Sequence, residues 1–112
     1  MRLCRPRLHP LPRLPPDGLL SQNGKVVERV RAQEQTTLVS RYTEEAVAFL
    51  RRNRHRRFFL YPAHNAVHFP IYPGKDFQGK SKNGLYGDGV EEVDWSVGRV
   101  MDVLRELDPV SY

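Results

Sequence analysis

The spacing of apolar residues changes along the chain, and each spacing predicts a different element. Asn23-Gly24 lies between the short flanks Leu19–Leu20 and Lys25–Val27. Asn-Gly accepts the positive φ values of a type I′ turn, so this stretch predicts a hairpin. Arg31–Gln35 is polar and reads as a linker. From Thr37 to about Arg52, the residues Leu38, Tyr42, Ala46, Phe49 and Leu50 fall on one helical face. Thr36 or Thr37 suits the start of that helix, and the arginines at its end suit the negative end of its dipole. Phe58-Phe59-Leu60-Tyr61 is a continuous apolar run stopped by Pro62, the pattern of a fully buried strand in a parallel sheet. Residues 62–85 are rich in glycine and proline and predict a long loop. A last helix is expected from near Asp88, where Asp88 and Glu91 have capping-box spacing. Val90, Val93, Val97, Val100, Met101 and Leu104 form its expected buried stripe, and Pro109 closes it after Asp108.

A buried strand needs pairing neighbours on both sides. The hairpin is the one candidate partner in these 112 residues. Residues 1–18 show no period and many prolines, and read as an irregular basic tail. Residues 19–112 carry the folded part.

The net charge of +5 permits nucleic acid, acidic sugars or sulfated substrates as partners and selects none of them. The excess is local. Arg2, Arg5, Arg7 and Arg13 lie in the acid-free opening, and Arg51, Arg52, Arg54, Arg56 and Arg57 form a second cluster. That cluster reads as a solvated helix end and turn, because it lacks the interleaved aromatics that stack on bases. Cys4 is the only cysteine, so neither an internal disulfide nor a Cys-based zinc site forms. No stretch has the length and apolarity of a membrane span. MRLCRPRLHPLPRLPP lacks the continuous apolar core of a signal peptide, and its prolines oppose a transit-peptide helix.

Gly74-Lys75-Asp76-Phe77-Gln78-Gly79-Lys80-Ser81 fits the phosphate-binding pattern G-x-x-x-x-G-K-[ST]. That chemistry requires a strand directly before the loop and a helix directly after it. Pro70 and Pro73 disturb the approach, and Asn83-Gly84 and Gly87 disturb the exit, so the match reads as a glycine-rich surface loop. His64 and His68 are four apart, but Pro62 and Pro70 place them on a loop rather than a helix, and the H-E-x-x-H zinc signature is absent. A histidine loop at the carboxyl end of a buried strand is where open α/β sheets place ligand-binding groups. Cys4 is a lone thiol among arginines with no partner base.

FFLY, the loop ending His68-Phe69-Pro70, Gly79-Lys80-Ser81, Gly84-Leu85-Tyr86-Gly87-Asp88, Glu92-Val93-Asp94 and Val97-Gly98 occur here in one order. In order and spacing, Phe58–Leu107 strongly resembles the type I sulfatases, particularly the arylsulfatase A-like branch. Weaker similarity runs back through Arg41-Tyr42-Thr43-Glu44-Glu45-Ala46 and Gly24-Lys25-Val26-Val27. The resemblance implies an alkaline-phosphatase-like α/β fold and hydrolysis of sulfate esters, using calcium and a formylglycine made from cysteine or serine. It matches His68 to the substrate-binding histidine that contacts a sulfate oxygen or the bridging ester oxygen. It places His64 and Asn65 where members vary, within reach of the substrate's organic group. Lys80 and Lys82 do not match the family's active-site lysines.

The departures are as specific as the matches. The nucleophile motif C-x-P-S-R is missing: Cys4 has Pro6 at the right offset, but Arg7 and Leu8 follow. The early paired aspartates that hold calcium and the later Asp-Asn-Gly segment are also missing. The chain is therefore expected to be an internal fragment of an arylsulfatase-like hydrolase: hairpin, helix, buried strand, long loop and helix. It is expected to bind no calcium, no nucleic acid and no membrane, and to be inactive alone. The alternative reading is a small basic interaction module for RNA or an acidic partner. Nucleotide binding through the Gly74–Ser81 match stands third.

Overall fold

The computed structural model describes residues 18–107, and the expectations for Cys4, the basic tail and Asp108 lie outside them. The described residues form two compact units that divide after Arg31.

The first unit is the hairpin of β1 (Gly18–Gln22) and β2 (Lys25–Val30). Asn23 and Gly24 both have positive φ, 52° and 75°, as a type I′ turn requires. The antiparallel register pairs Gln22 with Lys25 and Ser21 with Val26, but Leu20 with Glu28. Val27 is thus the extra residue of a bulge. Leu19, Val26 and Val27 are all more than half exposed. The strands pair with each other only, in a two-stranded sheet.

The second unit begins with a 3-10 helix, Ala32–Thr37, where the sequence reads as linker. Thr36 and Thr37 turn their hydroxyls back onto the carbonyls of Gln33 and Glu34, at 2.9 and 2.8 Å. Thr37 therefore sits at the N-cap position of α1 (Leu38–Asn53) without a side-chain cap. The expected capping role is replaced by continuity with the preceding turn. On α1, Leu38, Val39, Thr43, Ala46 and Leu50 are buried. Tyr42 and Phe49, expected on this face, lie at its half-buried edges.

The last helix, α2, runs from Gly84 to Leu107, four residues earlier than its expected start at Asp88. Asp88 is already inside the helix and caps nothing at its start. The expected stripe is also corrected. Val90, Val97 and Met101 are exposed, and Val93, Val100 and Leu104 are half-buried. The buried face carries Gly87, Asp88, Gly89, Glu92, Ser96 and Val103. Small and hydrogen-bonded polar residues let backbone and loop approach closely there, which hydropathy alone does not register.

Two cross-links fix how the helices pack. Thr43 meets Ser96, and further along both helices Arg51 meets Glu106. Residue numbers rise together, so α1 and α2 run in the same direction. Residues 54–83 must carry the chain back along a helix length, which is why the connection is long.

Phe58–Tyr61 lies on this return and is not a strand. Phe58 packs edge-on against Phe49, with ring centroids 5.8 Å apart, and Leu60 is half-buried. Phe59 and Tyr61 are 87% and 77% exposed. Among the described residues this run pairs with no strand, so its backbone lacks the ladder that a buried strand requires, and the expected buried strand does not form.

Candidate functional site

The return segment from Pro62 to Asn83 is held to α2 at three points, and the histidines lie at the first. His64 Nε2 is 2.8 Å from Ser96 Oγ. Ser96 Oγ is 2.6 Å from Thr43 Oγ1, and Thr43 Oγ1 is 2.7 Å from the carbonyl oxygen of Val39. Proton accounting gives this chain a direction. A carbonyl only accepts, so the Thr43 hydroxyl donates to Val39. Ser96 must then donate to Thr43, and His64 must donate its Nε2 proton to Ser96. His64 thus joins both helices through two buried hydroxyls.

Asn65 and His68 are exposed. His68 Nδ1 lies 2.7 Å from the carbonyl of Phe69. The same reasoning puts a proton on Nδ1, leaving Nε2 without a partner among the described residues. The two histidines therefore hold opposite ring nitrogens toward the protein. Between them, Val67 has φ of 57°. A β-branched residue there is strained by about 1–3 kcal/mol and persists only where its surroundings enforce it. Gly89 is part of that enforcement, since a Cβ at this position would lie 3.3 Å from both Val67 Cγ1 and Ile71 Cγ2.

Asn65 and His68 line one open depression with Gln35, Val39, Ile71 and Glu92. Its cavity volume is about 30 Å³, room for roughly two waters. His64 is not in its wall. The loop thus brings Asn65 and His68 together and turns the ring of His64 toward the helices.

The second point of attachment is Glu92, which is 2% exposed and accepts the Gly74 N–H at 2.9 Å. Burial pushes its carboxyl above the ordinary range, and the Gly74 bond offsets part of that. The third is Asp88. Its two carboxylate oxygens accept the N–H groups of Gly79 and Ser81, each at 2.8 Å. These amides belong to the sequence that matches the phosphate-binding pattern. An internal carboxylate occupies the position a phosphate would need, which leaves the motif as a loop latch. Phe77 adds a tilted ring contact with Trp95 at 5.7 Å.

The Gly79, Ser81 and Lys80 backbone N–H groups hold the Asp88 carboxyl below the ordinary range, with the Gly79 bond the largest cause; desolvation opposes them. A depressed carboxyl contributes stability above its unfolded pKa, and the contribution is lost as pH falls through the folded value. Thermal unfolding followed from neutral to acid pH should show this loss, and Asp88→Asn should flatten it. An unchanged acid limb in Asp88→Asn would refute the assignment.

In the basic cluster, Arg51 donates to Glu106 at 3.1 Å and Arg54 donates to His55 at 3.0 Å. The first pair links the two helices at their half-exposed ends, where the sequence reads as a solvated helix end. Among the described residues no three His, Cys, Asp or Glu side chains come together as metal ligands. The two buried carboxylates, Asp88 and Glu92, both accept backbone amides. The described residues therefore do not fit the calcium that the sequence resemblance implies. No described helix is long and apolar enough to cross a membrane.

Sequence reasoning missed Thr43, Ser96 and Glu92. The available signal was polar residues at helical spacing on faces that pack: Asp88, Glu92 and Ser96 are separated by four each.

A hairpin, two same-direction helices and a latched histidine loop define a small α/β fragment. Comparison with known proteins gives its family. The family described as Sulfatase matches residues 14–110. Steryl-sulfatase of Homo sapiens is 38% identical over 93 residues, which cover 83% of this chain and 16% of that protein. N-acetylgalactosamine-6-sulfatase of Homo sapiens is 43% identical over 74 residues, covering 65% and 14% respectively. Steryl-sulfatase of Mus musculus is 49% identical over 70 residues, covering 62% and 11%. The chain belongs to the sulfatase family. It spans 16% or less of the length of these three relatives.

Proposed function

We propose that residues 19–112 are a piece of an arylsulfatase-like hydrolase of alkaline-phosphatase-like fold, and that His68 contacts the sulfate ester. The observation that carries this reading is the state of the His68 ring. Its Nδ1 proton is committed to the Phe69 carbonyl, and its Nε2 has no partner among the described residues on an exposed loop. Nε2 therefore accepts a hydrogen bond in the neutral ring and donates one only as imidazolium. Sulfate oxygens carry negative charge and take donors, so the imidazolium is the binding form. As the ester bond breaks, the same Nε2–H lies suited to the bridging oxygen and favours departure of the alcohol. Asn65, beside His68, contacts the organic group, and His64 has only Nδ1 left for it.

Calcium and formylglycine supply the charge offset and the nucleophile in the full-length family. Neither is assigned to residues of this chain, and alone it is expected to be inactive. The substrates in the names of its relatives are a sterol sulfate and a sulfated N-acetylgalactosamine. Both are sulfate esters, the class proposed here.

The reading is tested by titrating inorganic sulfate into the chain with ¹⁵N-labelled histidine. Sulfate should shift the Nε2 signal of the His68 ring more than its Nδ1 signal, because Nδ1 is held by the Phe69 carbonyl, and His68→Ala should weaken sulfate binding. No shift of the His68 ring, or unchanged binding by His68→Ala, would refute the role of His68. Calcium-dependent turnover of an aryl sulfate by the purified chain would refute its inactivity.

A further inference from the structure

The geometry assigns His64, with Ser96 and Thr43, as a positioning device that sets the orientation of His68. The inference rests on the sulfate-contact role of His68 for its meaning, though not for its geometry. Three observations carry it. First, the hydrogen bonds run one way, from His64 Nε2–H through the Ser96 and Thr43 hydroxyls to the Val39 carbonyl. Every hydroxyl proton in the run is used, so the arrangement admits one tautomer of His64. Second, Ser96 and Thr43 are 1% and 4% exposed. A solvent-shielded hydroxyl is not a nucleophile awaiting substrate, and the His64–Ser96 pair is therefore an anchor rather than a catalytic dyad. Third, the anchor stands three residues before the left-handed Val67, which directly precedes His68. A residue with that φ stays in place only if the chain is fixed on both sides. His64 fixes the near side, and Ile71, packed at Gly89, fixes the far side.

Ring ¹⁵N spectra of the full chain test the assignment. The expected result is His64 as the Nε2–H tautomer and His68 as the Nδ1–H tautomer. Ser96→Ala should abolish the fixed His64 tautomer, move the His68 ring signals and weaken sulfate binding at His68 roughly tenfold, the worth of one lost hydrogen bond. Ser96→Thr should restore all three. If Ser96→Ala does not fold, the decision falls to His64→Ala against His64→Gln. Gln supplies an amide donor near the position of Nε2, so it should preserve the His68 spectrum while Ala does not. The assignment is overturned if His64 is found as Nδ1–H. It is also overturned if Ser96→Ala, or His64→Ala in its place, leaves the His68 ring signals unchanged. Sulfate that moves no wild-type signal would sink the sulfate role alone, since the tautomers judge the anchor independently.

Discussion

Gly87→Ala should destabilise the chain, while Gly98→Ala, the same change eleven residues along the same helix, should stabilise it. Both positions are in α2, where alanine is favoured over glycine by about 1 kcal/mol. At Gly98 nothing lies within 4 Å of the added methyl, so that gain is kept. At Gly87 the methyl would land on Ser81 Oγ and lie 2.8 Å from Asn83 Cβ. Ser81 cannot step aside freely. Its N–H is held by Asp88, and its hydroxyl accepts the Asn83 N–H at 3.0 Å. The clash therefore acts on the latch itself. Overpacking of this kind costs about 1–3 kcal/mol or more, which exceeds the helix gain. The net expectation is a loss of up to about 2 kcal/mol, read as a drop in melting temperature of up to roughly 8–16 °C. Melting temperatures that rise for both variants would show that the Ser81–Asn83 turn yields easily and is not a fixed part of the fold.

The second large effect is at Glu92. Glu92→Ala leaves the Gly74 N–H buried without a partner and opens space at the helix surface. Together these should cost about 2–4 kcal/mol. Glu92→Gln keeps an acceptor for Gly74 without a charge to desolvate, and its cost should stay below about 1 kcal/mol. The pH dependence has a definite sign. The Glu92 carboxyl is raised, so its contribution is greatest below the unfolded pKa and is lost as pH rises through the folded value. Glu92→Gln should therefore improve relative to the unmodified chain as pH rises through the carboxylate range. This is opposite in sense to Asp88. Chemical denaturation at several pH values measures both. A constant difference between Glu92→Gln and the unmodified chain would contradict the buried-carboxylate account.

The local elements were legible because local rules govern them. Asn23-Gly24 takes positive φ in any context, and the period of Leu38, Ala46 and Leu50 suffices to start a helix. The family was legible because the order from Phe58 to Gly98 is long and specific. Two expectations failed for one shared reason, the assumption that apolar residues are buried within the chain that carries them. Phe59 and Tyr61 are exposed, and their run pairs with no strand among the described residues. Val90 and Val97 are exposed because α2 turns its glycines and polar residues toward the loop. In the site, the sequence places His68 on the loop before Phe69-Pro70, and the structure shows it exposed there with Nδ1 on the Phe69 carbonyl. The His64 anchor was not, because the tautomer that defines it depends on two hydroxyls supplied by different helices.

The same-direction packing of α1 and α2 has a kinetic consequence. Thr43 and Ser96 are 53 residues apart in sequence, and Arg51 and Glu106 are 55 apart. Two neighbouring helices of opposite direction can zip from a short turn, but these cannot. Their first contact must close a loop of some fifty residues before any interface forms, an entropic cost of about (3/2)RT ln n, or roughly 3–4 kcal/mol. Docking should therefore limit the folding rate, and early species should carry two unattached helices.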